Sequence, residues 1–152
     1  MLRSVGYGVA VAEESTPVRG SGALQVPPNF DLTLGTVCVD KSEPGVTSWR
    51  MRADERFANP AGTIQGGFLG ALCDSAMGAS AVTFAAGRKV YAANVEMKVS
   101  FIVAVRPGTD LLCTARVVSG GERVAFVEAA VSDGDGALVA RASSTYLFTP
   151  RA

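Results

Sequence analysis

The apolar pattern is densest between Gly66 and about Ala86, where it predicts one long helix. Large and small apolar side chains occur on every side of that helix: Phe68, Leu69, Leu72, Cys73, Ala76, Met77, Ala79, Val82 and Phe84. A helix without a polar face is buried in a protein core or in a membrane. We expect burial within a sheet, because the stretch also carries Gly, Ser and Thr residues and lacks a basic flank.

Beyond Arg88 the period changes from helical to two, which predicts strands. The first strand has an apolar face formed by Val95, Met97, Val99, Phe101 and Val103, and a polar face formed by Glu96, Lys98 and Ser100. Turn signals at 106–109, 119–122 and 133–136 separate it from strands at 111–118, 124–132 and 137–148. We expect these four strands to form an antiparallel meander.

The chain before the long helix predicts a hairpin, with strands at 36–40 and 46–52 and with Thr47, Trp49 and Met51 on one face. A short helical turn at 30–34 precedes it, a loop at 54–63 follows, and Gly87 is the predicted end of the long helix. Residues 1–22 lack a sustained period and are interpreted as an N-terminal arm with one candidate strand at Val9–Ala12. Residues 23–152 then form a single α+β domain, in which a curved antiparallel sheet wraps around the helix.

Composition narrows the possible partners and chemistry. The 14 Lys and Arg residues balance the 14 Asp and Glu residues without a basic cluster, so we expect no nucleic-acid partner. Three separated cysteines and no histidine argue against a zinc site and favour reduced thiols in a cytoplasmic protein. We expect no metal, no cofactor and no membrane partner. The lack of histidine also excludes Ser-His and Cys-His nucleophiles.

Asp74 is the only charged residue between Arg56 and Arg88. A carboxylate in an apolar helix costs free energy unless it is paired, so Asp74 requires either a structural or a chemical explanation. It could be satisfied by Ser75 or nearby backbone, or it could be a reactive group whose ionised form is held by polar neighbours. The spacing alone leaves both open.

The helix begins with Gln65-Gly66-Gly67. Free N–H groups at a helix N-terminus favour negative charge, and glycines allow a ligand to approach the backbone, as an oxyanion hole requires. A Gly-rich entry into a crowded helix is the alternative. Cys73 is interpreted as a small core residue, since apolar surroundings disfavour a thiolate.

Together these residues resemble a known family. Asn59-Pro-x-Gly-x-x-Gln-Gly-Gly, followed after six residues by Asp74-x-Ala-Met-Gly, resembles the motif of hotdog-fold acyl-CoA thioesterases of the phenylacetate-pathway (PaaI-like) and 4-hydroxybenzoyl-CoA types. The similarity extends over roughly 35–148. It implies a hotdog fold and the hydrolysis of an acyl-CoA or aryl-CoA thioester to the free acid and CoA.

The resemblance also implies roles for residues. Asp74 corresponds to the nucleophile or general base, the N–H of Gly66 to the oxyanion donor, and Asn59 to a residue that orients water or substrate. Asn94 corresponds to a polar residue that supports the carboxylate. Gln65 stands where the family usually has His, and it can donate a hydrogen bond but cannot carry a proton.

Substrate binding is expected to involve Gly67 and Asn94, with Arg88, Lys89 and Arg123 near the CoA phosphates. Plain surface solubility is the alternative for the cations. A catalytically weak domain that binds acyl-CoA as a carrier or sensor is the alternative function.

Helix geometry bears on assembly. Gly66 and Asp74 lie roughly 12 Å apart along one helix, too far to act on one carbonyl. Two antiparallel helices related by a twofold axis would bring them together. We therefore expect a homodimer with shared sites, and the family resemblance implies pairing into a homotetramer.

Overall fold

The computed structural model describes residues 27–151, so the expected N-terminal arm and its candidate strand at Val9–Ala12 lie outside the described residues. The helices are α1 (Asn29–Leu34) and α2 (Gly66–Phe84), with a short 3-10 turn at Glu55–Phe57. The strands are β1 (Val37–Asp40), β2 (Val46–Arg52), β3 (Val90–Phe101), β4 (Asp110–Gly120), β5 (Val124–Ser132) and β6 (Leu138–Pro150). One antiparallel sheet and one long helix confirm the expected hotdog architecture.

The sheet has the order β1-β2-β4-β5-β6-β3, which corrects the predicted four-strand meander. Of the four strands after α2, β4, β5 and β6 are consecutive neighbours, whereas β3 pairs with β6 at the edge. The segment 102–109 crosses the sheet and is held by backbone hydrogen bonds from Ala53 to Thr109 and from Ile64 to Val105, each 2.8 Å long. These bonds place β4 beside β2, so the connection is a crossover and not a tight turn.

Helix α2 ends at Phe84, and Gly87 follows in the left-handed conformation with φ of 83°. Its buried side packs on the inner face of the sheet through Leu69, Leu72, Cys73, Ala76, Met77 and Ala81. Two buried hydroxyls tie the helix to the strands. Thr47 donates to the carbonyl of Ala76 over 2.8 Å, and Ser80 lies 3.1 Å from the carbonyl of Ala115. Such satisfied polar contacts fix the helix against β2 and β4.

The opposite side of α2 is open in the single chain, which corrects the expectation that no side of the helix would face solvent. Gly67, Asp74 and Val82 are exposed, and Ala71 and Gly78 between them are half-buried. Length and hydropathy alone would let α2 cross a bilayer, a test that the core helix of a soluble protein also passes. In the structure the sheet covers its other side.

Helix α1 lies beside α2 and is anchored by Asp31. This carboxylate is buried and accepts hydrogen bonds from Thr36 Oγ1 at 3.1 Å and from Ser75 Oγ at 3.3 Å. Ser75 is therefore engaged with α1 and does not serve as the partner of Asp74.

Candidate active site

Asp74 lies on the open side of α2, close to the middle of the helix. Its Oδ1 accepts a hydrogen bond from Asn94 Nδ2 at 2.7 Å and one from the Tyr146 hydroxyl at 3.2 Å. Within residues 27–151, no side chain donates to Oδ2 and no cation forms an ion pair with this carboxylate. One carboxylate oxygen is therefore held by two neutral donors while the other is free to react.

A β-bulge in β3 positions Asn94. Asn94 lies directly opposite Tyr146 of β6, but Glu96 lies opposite Thr145, so Val95 is an additional residue on β3. A bulge re-aims the side chains beside it. As a result, Asn94 shares the inner face with Tyr146, whereas Glu96 accepts a 2.7 Å hydrogen bond from Thr145 on the outer face.

Ser144 sets the orientation of the Asn94 amide. Its Oγ lies 2.7 Å from Asn94 Oδ1 and 2.7 Å from the Glu96 carbonyl oxygen, and it can donate its proton to either. With Oδ1 of Asn94 turned towards Ser144, the amide NH₂ is left facing Asp74.

Tyr146 and Ser144 were not predicted as site residues. Both are buried on the inner face of β6, where the neighbouring positions Ala140, Ala142 and Phe148 are apolar. Polar residues on the apolar face of a strand were the signal that could have identified them. Burial, followed by the charge of Asp74, raises the pKa of the Tyr146 phenol well above its ordinary value of 10.0, so it stays protonated as a donor.

The second part of the site is the start of α2. Gln65 is the N-cap residue, its side chain makes no capping hydrogen bond, and it is exposed. Gly66 is the first helical residue, and its N–H has no intrahelical acceptor. The ring of Phe101 covers Gly66 so closely that a Cβ atom at this position would lie 2.8 Å from Cζ of the ring. A side chain at this position would therefore displace the ring of Phe101.

Asn59 organises the loop that leads into α2. Its Oδ1 accepts hydrogen bonds from the backbone N–H groups of Ala61 at 3.0 Å and Thr63 at 3.3 Å, and its Nδ2 lies 3.1 Å from Thr63 Oγ1. A bridge between Ala58 and Ile64 closes the same loop. In the single chain the Asn59 side chain is thus engaged within its own loop.

The predicted phosphate-binding cations lie beyond the other end of α2. Arg88 donates to the carbonyl oxygens of Gly121 at 3.0 Å and Glu122 at 3.3 Å, and its guanidinium lies over the ring of Phe148, 4.5 Å from the centroid. These contacts give Arg88 a structural function that sequence reasoning missed. Lys89 and Arg123 are exposed.

The predicted site residues therefore occupy three places in one chain. Asn59, Gln65, Gly66 and Gly67 lie at the start of α2, Asp74 and Asn94 about two turns further on, and the cations beyond its end. Two surface grooves of about 360 and 570 Å³ are lined by residues other than Asp74, Asn94 or Gly66.

Cys73 is fully buried and is not available as a nucleophile. A hydrogen bond with Cys73, followed by burial, raises the pKa of the Cys113 thiol far above its ordinary range. All three cysteines are free thiols. The interpretation of Cys73 as a core residue is confirmed.

Comparison with known proteins shows the family and the fold of this chain. The sequence profile of the family described as Thioesterase superfamily matches residues 61–140, which include α2 and most of the sheet. Human acyl-coenzyme A thioesterase 13 is 25% identical over 118 residues, covering 77% of this chain and 83% of the human protein.

Two solved structures share the fold. A phenylacetic acid degradation-related protein of Ralstonia eutropha JMP134 is 31% identical with a TM-score of 0.71, covering 79% of this chain and 89% of that one. A Streptococcus mutans UA159 protein solved with acetyl CoA bound is 22% identical with a TM-score of 0.70, covering 76% of this chain and 90% of that one.

Proposed function

Because the chain belongs to the thioesterase superfamily, we propose that it hydrolyses an acyl-CoA or aryl-CoA thioester to the free acid and CoA. The observation that carries this proposal is the Asp74 carboxylate, which has one oxygen held by neutral donors and the other unoccupied. The human relative is named as an acyl-coenzyme A thioesterase, and the Streptococcus mutans neighbour was solved with acetyl CoA. Both support CoA thioesters as the substrate class.

In this proposal Asp74 is the nucleophile or the general base. As a base, it takes a proton from a water molecule whose oxygen attacks the thioester carbonyl carbon. As a nucleophile, it attacks that carbon itself and forms an anhydride, which water then hydrolyses. In both routes the carbonyl oxygen gains negative charge, which the N–H of Gly66 stabilises, and the CoA sulfur leaves.

Gln65 takes the position beside the oxyanion donor where the family usually has His. Its exposed amide can donate a hydrogen bond to the thioester but cannot supply a proton. This substitution is the observation that favours the second candidate function, a catalytically weak domain that binds acyl-CoA as a carrier or sensor.

We further propose that each active site is shared by two subunits. Gly66 and Asp74 are separated by eight positions, or roughly 12 Å along α2, so they cannot act on one carbonyl within one chain. Antiparallel pairing of two α2 helices around a twofold axis would bring Gly66 of one copy to Asp74 of the other. Asn59 and Gln65 would then enter the site with Gly66.

The surface of the single chain supports this pairing. The open side of α2 consists mainly of small residues, which allow a second helix to approach closely. The adjacent edge strand β3 and the residues after it leave large apolar side chains exposed: Val95, Met97, Phe101, Ile102 and Val103. Exposed large apolar side chains grouped along one edge strand are typical of a protein interface. A homotetramer built from two such dimers is a further prediction.

Steady-state hydrolysis across a panel of aliphatic and aromatic acyl-CoA thioesters tests the proposal. We expect turnover by the parent protein and a loss of about 10²–10⁴-fold in Asp74→Asn. The amide can still accept hydrogen bonds from Asn94 and Tyr146, so the fold should be retained. If Asp74→Asn hydrolyses the best substrate within about threefold of the parent, the assigned mechanism is wrong.

The carrier alternative is tested in the same panel. Micromolar binding of acyl-CoA without turnover, together with turnover restored by Gln65→His, would favour the carrier or sensor function. Hydrolysis is supported if the parent turns over acyl-CoA and Gln65→His does so at an equal or higher rate.

A further inference from the structure

We propose that Tyr146 is a positioning residue for Asp74. Its hydroxyl and the amide of Asn94 together hold Oδ1, which makes Oδ2 the reacting oxygen of the carboxylate. This inference rests on the proposed hydrolysis, in which Asp74 is the nucleophile or base. It concerns a residue on the last strand, far from both sequence motifs.

The Tyr146 hydroxyl contacts both Asp74 and Asn94. The Tyr146 hydroxyl lies 3.2 Å from Asp74 Oδ1, 3.4 Å from the backbone oxygen of Asp74, and 3.4 Å from Asn94 Nδ2. An aspartate carboxylate rotates easily, because its terminal torsion has broad and nearly equivalent minima. Two donors converging on Oδ1 remove that freedom and aim Oδ2 away from them.

The phenol is itself held in place. Tyr146 is only 3% exposed, and its strand pairs with β3 so that it lies directly opposite Asn94. The helix also leaves room for it: a Cβ atom on Gly78, one turn after Asp74, would lie 3.4 Å from the Tyr146 hydroxyl. A larger residue at 78 would push the phenol away from the carboxylate.

The charge balance favours positioning over neutralisation. In the described part of the chain no Lys or Arg forms an ion pair with Asp74, and both of its donors are neutral. An arginine could bind both carboxylate oxygens at once and block them. A phenol and an amide on Oδ1 instead fix the geometry while Oδ2 keeps its lone pairs for the reaction.

The test compares Tyr146→Phe, which removes only the hydroxyl, with Tyr91→Phe, which removes the same group from an exposed tyrosine of β3. We expect Tyr146→Phe to lower kcat by about 10- to 100-fold with KM unchanged, because the reacting oxygen is no longer aimed. The acid limb of its pH–rate profile should move to higher pH, because the ionised carboxylate has lost a donor. Tyr91→Phe should match the parent.

A double-mutant cycle sharpens the result. Tyr146→Phe and Asn94→Ala remove the two donors to the same oxygen, so their effects on kcat should be non-additive. The positioning role is overturned if Asp74→Asn abolishes activity while Tyr146→Phe keeps the kcat of the parent and the acid limb of its pH–rate profile. Hydrolysis would then stand without it.

A measurement without turnover separates the two proposals. Ionisation of the Tyr146 phenol is followed by absorbance at alkaline pH, as the difference between the titration of the parent and that of Tyr146→Phe. Circular dichroism monitors folding in both proteins. In the Asp74→Asn background this phenol should ionise at lower pH, because the neighbouring negative charge is gone. An unchanged titration rejects the contact and the positioning role. If the Tyr146 phenol ionises at lower pH as expected but the parent protein hydrolyses no thioester, the contact between Tyr146 and Asp74 stands and the proposed function is rejected.

Discussion

The side-chain amide of Asn94 donates a 2.7 Å hydrogen bond to Oδ1 of Asp74, across 20 positions of the chain. A strand residue thus holds the carboxylate of a helix residue within one chain. The donor is neutral and occupies one oxygen only, so the carboxylate remains available for chemistry.

Replacing Asn94 with Asp should lower the rate of thioester hydrolysis more than replacing it with Ala. Two carboxylates at this distance repel each other, which disfavours the state in which both are ionised. We expect Asn94→Asp to move the acid limb of the thioester hydrolysis profile to higher pH, and Asn94→Ala to lower kcat with a smaller change of that limb. Identical pH–rate profiles for the two variants would contradict this account of the hydrogen bond.

Gly66→Ala should be less stable than Gly67→Ala because of Phe101. The new Cβ would lie 2.8 Å from the ring, so this half-exposed ring must move, and we expect a cost below the roughly 1–3 kcal/mol of overpacking in a closed core. Gly67→Ala is the matched control, because nothing lies within 4 Å of its Cβ position. Urea unfolding should show a lower free energy of unfolding for Gly66→Ala than for Gly67→Ala, and the added Phe101→Leu substitution should remove the difference. Equal stability of the two alanine variants would refute the steric constraint.

Stability at alkaline pH should depend on Tyr146. Its pKa is raised in the folded protein, so the unfolded chain ionises first, from about 10.0 upward. The stabilisation is therefore complete below that pH and is lost as pH rises towards the folded value, by at most about 1.4 kcal/mol per pH unit. Urea unfolding at several alkaline pH values should give a shallower decline for Tyr146→Phe and for Asp74→Asn. Parallel declines in all three proteins would contradict the raised pKa.

Mixed dimers should recover activity if the site is shared. One partner carries Asp74→Ala and the other carries Gly66→Pro together with Phe101→Leu. Gly66→Pro removes the donor N–H, and Phe101→Leu makes room for the proline ring. Proline is tolerated at the first helical position, and the extended backbone of Gln65 suits a following proline. Co-folded mixtures should regain about a quarter of the activity of the Phe101→Leu reference, because half of the dimers carry one intact site.

Heterodimer formation in these mixtures is verified by native mass spectrometry. Mixtures that contain heterodimers and stay inactive would show that the site lies within one chain. Activity in either variant alone would show that the mutated group is dispensable.

The helices, the strands and the two motifs of this protein were predictable from the sequence alone. The period-two and helical patterns identified α2, the β1–β2 hairpin and the strands of the sheet, because backbone geometry imposes these periods locally. Gly66 and Asp74 could be singled out because one follows a free helix start and the other interrupts an apolar helix. Gly87 was predicted as the helix stop and has the left-handed conformation, but the helix ends three residues earlier, at Phe84, with Ala85 as its C-cap.

The surroundings of Asp74 depend on how distant parts of the chain fold together. Tyr146 lies 72 positions away and reaches the carboxylate from β6, and the pairing of β3 with β6 brings Asn94 beside it, which no local pattern encodes. The bulge at Val95 then sets which side chains of β3 face the helix. The open side of α2 depends likewise on how far the sheet wraps around it. Register, bulges and curvature arise from packing between distant segments, so the partners of the carboxylate could be identified only in the folded chain.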